Sequence, residues 1–321
     1  MKNLKIAIVG ASGLVGQKIL EVLFEQGIYQ NSIITLFVSK KSAGKFLYFK
    51  GLSHRLVEID ETNAEKKFDI VFFSAGEDVS KKYAETFAKN GAFVIDNTNA
   101  FRKTNPLIIP EINIKEIGGE RIISNPNCSS TQLALVLNKF NSVCEISEIV
   151  VSTYQSVSGA GKEALLDLEN STNSYFEKGI KNNVIAKIGE IDEDGNSLEE
   201  NKIMFEVNKI LKTNIKIVAT AVRVPVNYCH GESVYIKFNK SVDFEKLKQT
   251  IRGDNLMLCD EVCLNREIYN TNVTAVCRLR KISDTEVACF VMADNLRRGA
   301  AYNAVMIAKY IVENLIKMTF K

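Results

Sequence analysis

The stretch "LKIAIVGASGLVG" runs an apolar strand into a glycine turn and straight on into an amphipathic segment, "GLVGQKILEVLFEQG", that ends at Gly27. A strand tied this tightly to a helix builds βαβ units, which commit a chain to a parallel sheet with helices on its faces. The pattern continues. "IITLFVS", "FDIVFFSAG" and "AFVIDNT" are short apolar runs, and "DVSKKYAETFAKNG" between the last two has helical periodicity. The fold class expected is α/β, with a doubly wound, Rossmann-like first domain over residues 1–127. After Cys128 the texture changes to longer strands, "EISEIVVSTYQSVS", "IKIVATAVRVPV" and "ESVYIKF", which predict an α+β second domain with a mixed sheet over residues 128–298. The closing segment, "GAAYNAVMIAKYIVENLIKM", is expected as one long helix within 299–321, returning to complete the first domain.

A chain of 321 residues that is 46% hydrophobic can bury two cores of this size. No apolar run approaches the roughly 20 residues a bilayer span needs, and the glycine turn comes too early for a signal peptide. The expectation is a soluble, cytoplasmic protein with no membrane partner. A net charge of +3, with no basic run interleaved with aromatics, argues against nucleic acid. Its ligands should be small. The seven cysteines, at 128, 144, 229, 259, 263, 277 and 289, are an odd number with no secretion signal, so most are expected reduced, without a disulfide framework. Cys259 and Cys263 lack a histidine or second cysteine pair at ligand spacing, so no metal site is expected.

Gly10, Gly13 and Gly16, with Ser12, Leu14 and Val15 between them, form a GxxGxxG turn where backbone N–H groups can meet a pyrophosphate at a helix N-terminus. The same spacing also serves an ordinary tight connection. At the end of the second strand, where an NAD site places an acidic residue, the chain carries "FVSKKSAGK". Its Ser39, Lys40, Lys41 and Ser42 suit a 2'-phosphate, against the alternative of a solvated lysine loop. Together the two features favour NADP.

"SNPNCSS" runs directly into "TQLALVLNKF", whose apolar residues Leu133, Val136, Leu137 and Phe140 repeat at helical spacing, so a helix should begin within a residue of Cys128. A thiol at a helix N-terminus is stabilised as thiolate. The competing assignment is a packed, inert cysteine. Glu199 and Lys202 should share one face of a helix opened by a capping box, Ser197 to Glu200, where a surface ion pair is the simpler alternative.

With Gln155 in "STYQSVSGAG", Arg223 in "VRVPV" and His230 in "CHGES", the chain resembles aspartate-semialdehyde dehydrogenases, oxidoreductases of lysine, threonine and methionine biosynthesis. The likeness extends through "DNTNAFR", "PEIN", "EENK" and "DNLRRGAAYNAV". It implies NADPH-dependent reduction of L-aspartyl-4-phosphate to L-aspartate 4-semialdehyde and phosphate, in a homodimer or homotetramer. It further implies that Cys128 is the nucleophile, that Gln155 orients the acyl group and that His230 is the acid–base group with a pKa near the working pH. Arg223 would hold the substrate carboxylate, Glu199 its ammonium, and Arg102 with Lys202 the phosphate. Ser39, Lys41 and Ser42 would read the 2'-phosphate, while Ser158, Gly159, Asn295 and Gly299 would border the nicotinamide. Gly231 departs from the serine common after the histidine. An N-acetyl-glutamyl-phosphate reductase shares the plan but would have no ammonium for Glu199 to match, and a catalytically dead nucleotide-binding relative would not need the intact set.

Overall fold

The computed structural model describes residues 4–253 and 255–316. The chain divides into two compact units, one comprising residues up to Pro126 with those from Ala300 onward, the other Asn127–Gly299.

The first unit runs β1 (Leu4–Val9), α1 (Leu14–Glu25), β2 (Ser32–Val38), the hairpin β3 (Phe46–Phe49) and β4 (Leu52–Arg55), β5 (Val57–Glu58), α2 (Glu61–Ala64), β6 (Ile70–Phe73), α3 (Glu77–Lys89), β7 (Phe93–Asp96), α4 (Pro110–Asn113) and β8 (Ile122–Ser124). Its main sheet has the order β5-β2-β1-β6-β7-β8 with every pair parallel, so the order steps outward from β1 in both directions. That is the doubly wound plan, and it puts the loops at the strand C-termini around the switch point beside β1. Every residue of β6 and β7 is buried, as strands covered on both faces require.

The second unit runs α5 (Cys128–Val143), β9 (Ile146–Gln155), α6 (Lys162–Asn170), α7 (Leu198–Leu211), β10 (Lys216–Arg223), β11 (His230–Phe238), α8 (Phe244–Thr250), β12 (Arg252–Gly253), β13 (Leu256–Cys259), α9 (Asn265–Ile268), β14 (Thr274–Ser283) and β15 (Glu286–Ala293). Its seven strands lie in the order β10-β9-β11-β15-β14-β13-β12. β9 with β10 and β13 with β14 are parallel and the other pairs antiparallel, the mixed sheet expected. β12 to β15 had no counterpart among the expected strands. In β14 the register shifts between Cys277 and Arg280 and again between Lys281 and Ser283, which scrambles the period-2 signal.

The closing helix is built of three pieces: wide i→i+5 turns at Arg297–Tyr302, regular α10 (Asn303–Ile311) and another wide turn at Val312–Ile316. α10 buries Ala304, Val305, Ile307, Ala308 and Ile311 in one core with Ile8, Ile19 and Leu23 of the first unit. Residues 317–321, the end of the helix expected from sequence, lie outside the described residues. Most of the cysteines are free, as expected, with Cys128, Cys144, Cys229, Cys277 and Cys289 unbridged, while Cys259 and Cys263 are joined by a disulfide, because the turn after β13 brings their Cα atoms to 6.7 Å, inside the range a disulfide spans.

Candidate active site

In the first unit, the glycine turn is shaped by contacts no side chain could survive. Gly10 has φ +88°, and a Cβ there would sit 2.7 Å from the backbone of Ser74 and Ala75. A Cβ on Gly16 would strike the Gly10 carbonyl. Gly10 and Ala11 donate their N–H groups to Phe37 O at 2.9 and 3.2 Å, and Gly13 donates to Gly10 O at 3.0 Å. Ser12 O accepts from Gln17 Nε2 at 3.1 Å. α1 then starts at Leu14 with Gly13 as its N-cap and no side chain capping it, so the N-terminal turn of Leu14, Val15 and Gly16 presents backbone donors and a positive dipole end. This is a cradle that fits a pyrophosphate. Beyond β2, Ser42 N bonds Ser39 O at 2.9 Å in a tight turn, leaving Ser39, Lys40 and Lys41 exposed and Ser42 half-buried.

Arg102 is buried in the same unit rather than being a surface charge. Its Nε donates to Asn125 O at 3.0 Å and its Nη2 to Asn97 O at 2.8 Å. Asp96 anchors the turn that carries it, accepting from Ser80 Oγ, Thr98 N and Thr98 Oγ1 at 2.8 to 2.9 Å. Burial raises the Asp96 pKa, and these bonds with the Arg102 charge oppose the rise.

In the second unit, α5 begins at Cys128, as its periodicity predicts. The side chain of Asn127, its N-cap, accepts from Ser129 N at 2.9 Å and Ser130 N at 3.3 Å. Two first-turn donors are therefore already used; the helix dipole and the nearby Arg223 guanidinium are features that would favour a thiolate. Gly299 packs against this residue so closely that a Cβ would lie 2.7 Å from Cys128 Cβ.

Glu199 is a hub, not a surface ion pair. Its carboxylate accepts from Asn127 Nδ2 at 2.8 Å and Gln155 Nε2 at 3.1 Å, and pairs with Lys202 Nζ at 3.1 Å. Burial pushes its pKa up, but the Lys202 charge and the bonds from Asn127 and Gln155 outweigh burial and hold it below the ordinary value. The expected capping box, Ser197 with Glu200, is present and fixes the start of α7. Gln155 Nε2 also reaches Ser129 Oγ at 3.0 Å, next to Cys128 in the chain.

His230 opens β11, and its ring is held by Ser156, whose N–H donates to Nδ1 at 3.0 Å. A backbone donor at Nδ1 assigns the proton to Nε2. Nε2 itself is buried without a hydrogen bond. A Cβ built on Gly159 would meet Arg223 Nη1 at 2.9 Å and His230 Nε2 at 3.1 Å, so Gly159 leaves open the space on which both side chains converge. Arg223 is braced by Ser156 O, which accepts from Nη1 at 2.7 Å. The expected near-neutral pKa of His230 is corrected here: burial first, then the Arg223 charge, lower it to about 3. Asn295 Oδ1 accepts from Ser156 Oγ, Ser158 Oγ and Cys229 N at 3.1 to 3.2 Å, and so binds the turn beneath the histidine.

Sequence reasoning missed Asn127, Ser156, Glu206 and Glu232. Glu206 accepts from Asn127 N at 2.7 Å and lies four residues after Lys202 on α7, a spacing that could have flagged it. Glu232, two residues after His230 on the same strand, turns to the same face. Its carboxyl oxygens are buried without a hydrogen bond, near Ser129 and Gln132, and burial raises its pKa well above the ordinary value.

Two family models match this chain: "Semialdehyde dehydrogenase, NAD binding domain" over residues 5–119 and "Semialdehyde dehydrogenase, dimerisation domain" over residues 140–298. The aspartate-semialdehyde dehydrogenase of Aquifex aeolicus is 37% identical, with 96% of this chain and 98% of that protein covered. That of Campylobacter jejuni is 38% identical, covering 97% and 98%. Among solved structures, aspartate semialdehyde dehydrogenase II from Vibrio cholerae, described complexed with ASA, superposes with a TM-score of 0.91 at 34% identity, covering 98% of this chain and 100% of that one. On identity sustained over nearly the full length, the chain belongs to the aspartate-semialdehyde dehydrogenase family.

Proposed function

We propose that this chain reduces L-aspartyl-4-phosphate with NADPH to L-aspartate 4-semialdehyde and phosphate through a thioester on Cys128. The observation that carries the proposal is the convergence of Cys128, Gln155, Glu199, Arg223 and His230 in one buried, polar neighbourhood of the second unit. Attack by the Cys128 thiolate forms the S–C bond and expels phosphate with its bonding electrons, leaving a thioester. Each tetrahedral stage puts negative charge on the former carbonyl oxygen, and the role that suits His230 is to donate a hydrogen bond from its Nε2–H to that oxygen as a neutral imidazole, keeping the proton. Collapse of the hemithioacetal returns the thiolate and releases the aldehyde.

Arg223 offers a fork for the α-carboxylate and the buried Glu199 carboxylate a counter-charge for the α-ammonium. Lys202 and Arg102 supply the cations for phosphate. The turn at Gly10–Gly16 would hold the cofactor's pyrophosphate, with Ser39, Lys41 and Ser42 on a 2'-phosphate and Ser158, Gly159, Asn295 and Gly299 toward the nicotinamide. When bound, the cofactor supplies the hydride that reduces the thioester. A dimerisation-domain match and three exposed apolar side chains on neighbouring strands, Val150, Tyr154 and Val218, support a homodimer through that sheet face. Among the described residues no helix is long and apolar enough to cross a membrane; the cytoplasm is the proposed location.

The test is the reverse reaction. Purified protein given aspartate semialdehyde, phosphate and NADP should produce NADPH, and Cys128→Ser should abolish turnover while binding NADP normally. Turnover of that variant within tenfold of the parent overturns the assignment. Lys41→Ala should weaken NADP by about tenfold and NAD hardly at all, since a charge-assisted contact contributes about 1.5 kcal/mol or more; equal loss for both cofactors would remove Lys41 from the 2'-phosphate site.

A further inference from the structure

Three sulfurs meet where β13 and β14 run side by side in the second unit. Cys259 ends β13, Cys263 follows its turn, and Cys277 lies on β14 in register with Cys259. All three sulfurs are within 4.8 Å of one another, the only such group of potential metal ligands among the described residues. Cys259 and Cys263 are bonded to each other, while Cys277 is free. Cys259 is half-buried, so one end of the bond is open to solutes.

The bonded turn leads directly into α9, and α9 holds the residue before the histidine. Asn265, two residues after Cys263, donates from Nδ2 to Tyr228 O at 2.9 Å and Cys229 O at 3.4 Å. The Cys229 thiol donates back to Asn265 O at 3.4 Å. The Tyr228 ring stacks on Tyr269, with centroids 4.6 Å apart. Cys229 itself sits at φ +70°, in the left-handed region that a residue with a side chain keeps only where its surroundings hold it. Asn265 and Tyr269 on one side and Asn295 on the other supply that hold. Cys229, Cys259, Cys263 and Cys277 share one apolar cluster with Ile268 and Met292.

We propose that Cys259 and Cys263 form a reversible thiol–disulfide site, a clasp that fixes Asn265 and through it the Cys229–His230 backbone. Its reaction partner is a low-molecular-weight disulfide. The Cys259 thiolate attacks one sulfur of that molecule and expels one thiolate, giving a mixed disulfide. Cys263 loses its proton, attacks the Cys259 sulfur and expels the second thiolate. Two protein thiols are oxidised by two electrons and one external disulfide is reduced to two thiols. Opening the clasp frees the 260–264 turn and loosens the grip of Asn265, so turnover should fall. That last step rests on the role proposed for His230; the disulfide chemistry does not.

The test equilibrates the parent chain in oxidising and reducing glutathione buffers, alkylates it and maps the cysteines by mass. The expected result is that Cys259 and Cys263 escape alkylation together in the oxidising buffer and react after dithiothreitol, while Cys277 stays free. Alkylation of Cys259 and Cys263 in both buffers, or a reduced chain that instead binds one Cd2+ through all three thiols and will not oxidise, overturns the clasp. In the second arm kcat is measured in both buffers, normalised to the fraction of free Cys128 from intact mass. The oxidised parent should turn over about threefold faster than the reduced one with the KM for phosphate unchanged. The Cys259→Ser, Cys263→Ser double variant should match the reduced parent in either buffer. A disulfide that forms without any difference in kcat overturns the coupling to His230.

Discussion

Replacing Lys202 with methionine keeps the apolar stem and removes one cation from the Glu199 hub. At 3.1 Å the gross attraction is about 5 kcal/mol for an effective dielectric of about 20. The Lys202 side chain is 20% exposed, so solvent screens part of this, and the Arg223 charge still faces Glu199. A net loss of about 1.5 to 3 kcal/mol remains, which is roughly 10- to 150-fold in a binding constant. Were Lys202 only a phosphate ligand, that loss would appear in the KM for phosphate alone. The bond to Glu199 adds a second effect. Without its cation, burial dominates the carboxyl, its pKa rises, and the grip proposed for it on the substrate ammonium weakens as the group protonates. The semialdehyde KM of Lys202→Met should therefore also rise, more in acidic than in alkaline buffer, because a carboxyl with a raised pKa regains its charge only as the pH climbs. Glu199→Gln combined with Lys202→Met should cost about 0.5 to 3 kcal/mol less than the sum of the two. Initial rates with each substrate varied in turn, in buffers spanning the acid to alkaline range, measure all of this. Strict additivity, with a semialdehyde KM indifferent to Lys202 at every pH, would refute the hub.

His230, lowered from the ordinary 6.5 to about 3, binds fewer protons folded than unfolded between those values. Its contribution to stability is thus complete above about pH 6.5 and shrinks as the pH falls toward 3, while the rate profile shows no histidine limb near neutrality; a limb near 6.5 that disappears in His230→Gln would contradict this. Glu232 has the opposite sign, since a raised carboxyl pKa costs stability as the pH rises past the ordinary carboxylate value. Glu232→Gln should consequently gain in Tm over the parent with increasing pH, and parallel Tm curves would show that the buried acid is not neutral. Gly231→Ser would bring a Cβ within 2.5 Å of Phe290 Cζ, costing about 1 to 3 kcal/mol by overpacking. Denaturant unfolding checks it, and Phe290→Leu in the same chain should recover most of the loss.

What the sequence disclosed was local. The strand, glycine turn and helix from Leu4 to Glu25 announce themselves because each is coded within a few residues, and so does the start of α5, where Asn127 caps a helix whose apolar residues repeat on schedule. β12 to β15 were hidden, since bulges in β14 interrupt alternation and the turn cysteines look like isolated thiols until Cys277 arrives from the next strand. The resemblance named the charged residues but not their surroundings. Glu206 reaches Asn127 across 79 positions and Ser156 reaches the His230 ring across 74. Neither pairing has a sequence period.

Those long contacts decide the chemistry. A histidine at the start of a strand could serve as a base, an acid or a packing group. Burial first, and then the neighbouring Arg223 charge, leave it neutral, and the Ser156 N–H at Nδ1 puts its proton on Nε2. In that form it could donate a hydrogen bond to the oxyanion of the proposed reaction, but cannot take a proton at Nδ1 without losing the backbone bond. On the proposed mechanism, the Cys128 thiolate would draw support from the helix dipole and the Arg223 charge rather than from the imidazole. The Arg223 charge that, after burial, lowers the His230 pKa would thus also support the proposed thiolate on Cys128.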